Sequence, residues 1–396
     1  MSYRILSLDG GGTWALIQVK ALIDLYGAAT TGRVVLQDFD MVAANSGGSI
    51  VLGTLLEDMP LSQILNFFQD ESQRRAVFSD TEWVGDRTLH FLTGLGPKYS
   101  AREKLPALQH VLTKSGNVPL NQAATGLRRA NAANDVHLLI IAFDYDRDRG
   151  TYFRSSQASG RPWGKGAASD ITVAEAIHAS TNAPVNYFDE PAQFPDHSGR
   201  YWDGAISGAN NPVMSAVTEA IVKGQRPDDI VALSIGTGSV ALPWPQDEDN
   251  PAVFEQPIED SSLVADLKKL ASSVLDDPPD RATFYAHVLT NGGAGLNHPP
   301  ADSRIVRMNP LVSPVKDAGG NWTAPGGMTA AQFNSLANLD MDAIKQPQVD
   351  AITRYADLWL QNKAPNQPIR MDRDTLKLEL GQSTYGDAKV AWNAIK

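Results

Sequence analysis

The chain opens on a short apolar run over Tyr3–Leu8, which reads as a buried strand. A glycine cluster follows, and then Ala15, Leu16, Val19, Leu22, Ile23 and Tyr26 recur at helical spacing, so one face of a helix is expected to be buried. Residues 39–44 form a second apolar strand. Ile50, Val51, Leu52, Leu55 and Leu56 then continue as a helix that runs toward Pro60. Strand, helix, strand, helix in that order is the pattern of a parallel or mostly parallel sheet covered by helices.

Further along, residues 61–99 are dense in bulky apolar groups punctuated by Gly85, Gly94 and Gly96. They read as a helical insertion packed on the core, with a lid or an acyl-chain pocket as the alternative. A strand is expected over 136–143, paired after a polar turn with 151–153, and a short helix over 171–180. Residues 229–235 are another buried strand, ending in Gly236-Thr237-Gly238. The stretch 240–260, rich in Pro, Asp and Glu, is an expected exposed loop. A helix near 262–275 and a last strand over 304–308 follow. Val349, Ile352, Ala356 and Trp359 predict an amphipathic helix over 342–361. Beyond Pro365 the alternation of Leu376, Leu378 and Leu380 suggests a small appended element.

Composition narrows the function classes. The 396 residues are 42% apolar, ordinary for a globular protein able to bury a sizeable core. Net charge is −11 and no long basic run exists, which argues against nucleic acid as a partner. The same charge disfavours broad adhesion to anionic membranes, while a local apolar face leaves room for a transient membrane or micelle interface. Without cysteine there is no disulfide, thiol nucleophile or thiolate-bound metal. The seven histidines, at 90, 110, 137, 178, 197, 287 and 298, form no zinc-type pair. The chain enters a strand within a few residues and has no apolar run of bilayer length. The expectation is a cytoplasmic protein, or one exported without a recognisable signal peptide.

Three segments carry candidate chemistry. Asp9-Gly10-Gly11-Gly12 exposes backbone N–H groups unobstructed by side chains, as an anion or oxyanion requires. Ala44-Asn45-Ser46-Gly47-Gly48 places a serine on a strand-to-helix turn, a G-x-S-x-G elbow with alanine for the first glycine. A serine needs a base and preorganised donors for the oxyanion. The late histidines His287 and His298 follow no clean strand. Asp203, in Tyr201-Trp202-Asp203-Gly204-Ala205, could instead take the serine proton directly, although an Asp-Gly pair also reads as a plain turn.

These segments together resemble the patatin-like lipid acyl hydrolases, whose pattern is Asp-Gly-Gly-Gly, then a Gly-x-Ser-x-Gly elbow, then Asp-Gly-Gly/Ala. The matches occur in the family's order. Lys98-Tyr99-Ser100, residues Ala179 to Pro184 followed by Phe188, and Leu233 to Gly238 look similar as well, so the resemblance extends over roughly 3–360. It implies a three-layer α/β/α sandwich around a mixed, mainly parallel sheet, with a catalytic domain over 1–362 and a C-terminal extension over 363–396. It implies Ser46 as nucleophile and Asp203 as general base. The oxyanion hole would come from the Gly10-Gly11-Gly12 turn, chiefly the Gly11 and Gly12 amides. The implied activity is hydrolysis of lipid or phospholipid acyl esters through an acyl-enzyme, with no cofactor and no metal. The family often has a basic residue and a glycine after the triple glycine; here Trp14 and Ala15 occupy those places, which weakens a specific phospholipid reading more than esterolysis.

Two alternatives belong beside this reading. Asp9-Gly10-Gly11-Gly12-Thr13 also resembles the phosphate turn of actin-like-fold sugar kinases, with Gly236-Thr237-Gly238 as a second phosphate loop. A catalytically idle patatin-like binding protein is the other. Asp144, Asp146 and Asp148 imitate an EF-hand opening, but Arg149 and Ser155 stand where glycine and glutamate are needed, so a solvated turn is expected. His178 reads as a packed or capping residue.

Overall fold

The structure is a computed structural model that describes residues 2–77, 100–156, 170–184, 187–194, 197–258, 260–297, 299, 302–341 and 343–396. Its centre is an eight-stranded mixed sheet. The strands are β1 (Tyr3–Leu8), β2 (Met41–Asn45), β3 (His137–Asp144), β4 (Arg149–Arg154), β5 (Ala192–Phe194), β6 (His197–Asp203) and β7 (Ile230–Ile235). A short β8 (Ser239–Val240) lies outside the sheet, and β9 (Ile305–Met308) completes it. Parallel pairing joins β3, β2, β1, β7 and β9, whereas β4, β5 and β6 join antiparallel.

Alternation of side chains sorts the strands onto two cores. Leu6, Leu8, Val231, Leu233 and Ile235 face one core with the helices Leu16–Tyr26, Gly47–Leu56 and Val173–Ser180. Ile5, Ile230 and Ala232 face the other, against the helices Val213–Val222 and Leu263–Thr290. Every residue of β2 and β7 is buried, as expected for strands covered on both faces. The result is a helix–sheet–helix sandwich.

Register decides where the site forms. Leu8 pairs with Ala44 on one side and Ile235 on the other, so β1, β2 and β7 end level. All three glycine-containing turns therefore leave the same carboxyl edge, where ligands bind in open α/β sheets. On the far edge of β2, β3 pairs through Ile141 with Asn45, and at the very next position Ala142 pairs with Asp203 of antiparallel β6.

Two expectations change. The helix expected near 262–275 runs on to Thr290 through Pro278 and Pro279. Two prolines should stop it, but its second half is anchored by tertiary contacts. Ala282 and Ala286 are buried under the sheet, and Asn211 Nδ2 donates to Pro279 O at 3.2 Å and Thr283 Oγ1 at 2.8 Å. Within 61–99, Leu61–Gln69 and Glu71–Val77 are helices, the first burying Ile64, Phe67 and Phe68; residues 78–99, where most of that reading rests, lie outside the described residues. The tail holds more than the alternating leucines, of which Leu378 and Leu380 lie in one arm of a short hairpin between Arg370–Met371 and Leu378–Leu380. Its unforeseen helix, Tyr385–Ile395, stacks Trp392 on Phe39 with centroids 6.0 Å apart and sets Tyr385 edge-on to Trp359 at 4.5 Å.

Candidate active site

Ser46 sits between β2 and the helix Gly47–Leu56 with φ 47° and ψ −125°, a conformation a non-glycine residue adopts only when its surroundings impose it. Those surroundings are tight. A Cβ on Gly48 would lie 2.4 Å from the Leu8 carbonyl oxygen, so this helix can start so close to β1 only with glycine there. Ala44, in place of the motif's first glycine, is fully buried without displacing the turn. Ser180 Oγ accepts the Ser46 N–H at 2.9 Å, and the Ser46 side chain acts on the Asp203 carboxyl to lower its affinity for a proton.

Asp203 is 3% exposed at the end of β6. Its Oδ1 accepts Asn45 Nδ2 at 3.1 Å and the Ala205 N–H at 2.9 Å, while its own N–H donates to Asn182 O at 2.9 Å. Burial pushes its carboxyl above the usual carboxylate range. The Ser46 side chain, hydrogen bonds from Ala205 and Asn45, and the charge of Lys104 pull the other way.

The glycine turn is clamped from several sides. The Gly10 N–H donates to Asn210 O at 2.9 Å, the Thr13 N–H to Met341 O at 3.0 Å, and Thr237 Oγ1 donates to Gly10 O at 2.6 Å. Among the described residues the Gly11 and Gly12 amides have no hydrogen-bond partner. Of the three glycines named as oxyanion donors from sequence, Gly10 thus has its N–H already engaged. Gly12 packs directly on Gly47, whose Cβ would come 2.8 Å from Gly12 N, so the Gly12 amide adjoins the elbow. Beneath the turn, Asp9 and Arg307 form a buried ion pair at 2.6 Å, and Arg307 Nη1 also donates to Ser234 Oγ at 2.8 Å. Burial raises the Asp9 carboxyl to about 6 despite that partner.

A cavity of about 680 Å³ opens beside the turn, lined in part by Gly10, Gly11, Trp14, Thr237, Trp244 and Arg307. Trp14 is almost wholly buried and donates Nε1–H to Asp340 O at 3.2 Å.

Among the described residues no histidine is hydrogen-bonded to Ser46. His287 bonds Ser303 Oγ and Gly295 O through its two ring nitrogens, and His178 is buried beside Phe194; His298 lies outside the described residues. In the acidic turn Asp144 pairs with Arg147 and Asp146 with Arg200. Thr237 and Gly238, read as a second phosphate loop, bond to Gly10 O and Asn309 Oδ1 instead. Sequence reasoning did not single out Ser180, Asn182, Asn210, Lys104 or Arg307. Ser180 and Asn182 lie within the Ala179 to Pro184 segment that carries part of the resemblance. Lys104 and Arg307 carry no local signal.

Residues 6–217, more than half of the chain, match the Patatin family, described as patatin-like phospholipase. The chain belongs to that family, and membership supports a lipid hydrolase function and removes the sugar-kinase alternative. Among solved structures it is similar to VipD from Legionella pneumophila, at 11% identity and TM-score 0.38, covering 90% of this chain and 67% of that one. It is also similar to full-length ExoU in complex with SpcU from the type III secretion system of Pseudomonas aeruginosa, at 13% identity and TM-score 0.29, over 71% of this chain and 52% of that one. A second ExoU structure gives 11% identity and TM-score 0.27 over 90% and 53%. The chain spans about half the length of the ExoU chains. No curated protein matches its sequence.

Proposed function

We propose that the protein is a serine lipid acyl hydrolase of the phospholipase A, lysophospholipase or esterase type, working through a Ser46–Asp203 dyad. One observation carries this reading: Ser46, on its strained elbow, directly follows Asn45, whose Nδ2 donates to the buried Asp203 carboxylate at 3.1 Å, and Gly12, whose amide has no hydrogen-bond partner among the described residues, packs on the same elbow. Ser46 Oγ attacks the acyl carbonyl as Asp203 takes the hydroxyl proton. The Gly11 and Gly12 N–H groups receive the developing oxyanion. Collapse breaks the ester bond, and Asp203 returns the proton to the departing alcohol. Water, deprotonated by Asp203, then attacks the acyl-Ser46 ester and releases the fatty acid.

Burial favours this division of labour, since a base whose affinity for a proton is raised accepts one more readily. No cofactor or metal enters the scheme. No helix among the described residues is long and apolar enough to cross a membrane, so the lipid would be met at a membrane or micelle surface.

The test is a fluorophosphonate probe with the adduct mapped by mass spectrometry, repeated with Ser46→Ala and Asp203→Asn. Labelling is expected at Ser46 and should vanish in Ser46→Ala. Ester hydrolysis should fall by at least about 10³-fold in either variant. Labelling that survives Ser46→Ala, or hydrolysis undiminished in Asp203→Asn, overturns the dyad.

A further inference from the structure

Behind the dyad the helix Ala101–Val111 sends a lysine into the interior. Lys104 is 1% exposed, a placement that lysine almost never takes without a partner. Its ammonium lies 3.6 Å from the centroid of the Phe188 ring and donates to Asn182 Oδ1 at 3.0 Å. A ring face and an amide oxygen both stabilise a cation, but neither supplies a counter-charge.

Among the described residues the surrounding charges are committed elsewhere. Glu190 pairs with Arg102, and Asp189 accepts the Ala101 N–H. Arg74, on the neighbouring helix Glu71–Val77, donates to the Phe68 and Ile344 carbonyls. His178, on the helix Val173–Ser180, is held neutral: burial pushes its imidazolium well below the usual range, and the Lys104 charge adds to that. The carboxylate whose field acts on Lys104 is Asp203. Asn182 couples the two mechanically. Its carbonyl accepts the Asp203 N–H, its Nδ2 donates to Glu190 O at 2.6 Å, and its Oδ1 is thereby turned toward the lysine.

We propose that Lys104 is a positioning residue of this site: held by Asn182 and Phe188, its ammonium is the buried counter-charge that keeps Asp203 a carboxylate. The inference rests on the reading of Asp203 as the general base. Burial alone drives both groups toward neutrality, Asp203 upward and Lys104 downward, and each charge opposes that drift in the other. Replacing Lys104 leaves the burial of Asp203 less opposed, so the base stays protonated to higher pH.

The experiment is the pH profile of kcat/KM on a soluble ester for the parent, Lys104→Met and Lys104→Arg. The acid limb should move up by about one pH unit or more in Lys104→Met, and stay near the parent in Lys104→Arg. A uniform loss with an unmoved limb would mean a packing role only and overturns the proposal. A second measurement needs no catalysis: thermal unfolding of Lys104→Met, Asp203→Asn and the double variant. Coupling requires that the loss of Tm caused by Lys104→Met shrink in the Asp203→Asn background, and strict additivity overturns it. Lys104→Gln carries the same cycle if the methionine variant does not fold. Should Asp203→Asn hydrolyse esters normally, the dyad fails, while the unfolding cycle still reports on the pair.

Discussion

Asn45 and Asp203 meet end to end along one edge of β3, opposite Ile141 and Ala142 respectively, and Asn45 Nδ2 donates to Asp203 Oδ1 at 3.1 Å. β2 runs parallel to β3 and β6 antiparallel, so their carboxyl ends converge on the same point. Ser46 follows Asn45 directly, and the serine and the aspartate are thereby presented to each other by backbone pairing. Sheet register is rigid and does not depend on a long side chain finding its place, which suits the proposed Ser46–Asp203 dyad.

Gly11→Ala tests the oxyanion assignment. A Cβ at Gly11, where φ is 154°, would fall 2.2 Å from Thr237 Oγ1, and that hydroxyl is itself committed to Gly10 O. The turn must shift and carry its free amides with it. The expected outcome is a fall in kcat of about 10²–10³-fold with secondary structure preserved, read from ester hydrolysis and circular dichroism. Parent-like kcat would remove Gly11 from the hole.

The Asp9–Arg307 pair predicts a specific pH dependence of stability. Because the Asp9 carboxyl titrates higher when folded than when unfolded, its contribution is complete below about pH 4. It is lost as the pH rises through about 6. The stability of the parent relative to Asp9→Asn should therefore grow on acidification from pH 7.5 to 4, by on the order of 3 kcal/mol. Denaturant unfolding of both proteins across that range checks it, and a constant difference would rule Asp9 out as the titrating group.

Trp392→Ala should behave as a core mutation. The indole is fully buried and stacked on Phe39, which lies just before β2. A loss of about 3–5 kcal/mol in unfolding free energy is expected. A loss below about 1 kcal/mol would instead mark the terminal helix Tyr385–Ile395 as dispensable packing.

Much of the architecture was legible in sequence because its signals are local. The strands β1, β2, β3 and β7 are apolar runs of strand length, and the helix Gln346–Leu360 shows its buried stripe at Val349, Ile352, Ala356 and Trp359. Pro278 and Pro279 misled because local propensity says stop, while burial of Ala282 and Ala286 against the sheet outweighs it. The terminal helix was missed because its apolar contacts, Trp392 on Phe39 and Tyr385 on Trp359, are with distant residues.

By itself the sequence determined three turns of the required chemistry: a glycine turn with bare amides, a serine on a strand-to-helix elbow, and an aspartate before a glycine. Each is a short-range property of residue type and spacing. Tertiary structure decided which of their groups are free to act. Among the described residues the Gly10 amide is taken by Asn210 and those of Gly11 and Gly12 have no partner, the Ser46 N–H is held by Ser180, and Asp203 is buried with Lys104 acting on it. Burial and hydrogen-bond occupancy depend on strands and helices 100 or more residues apart in the chain. No local pattern encodes them.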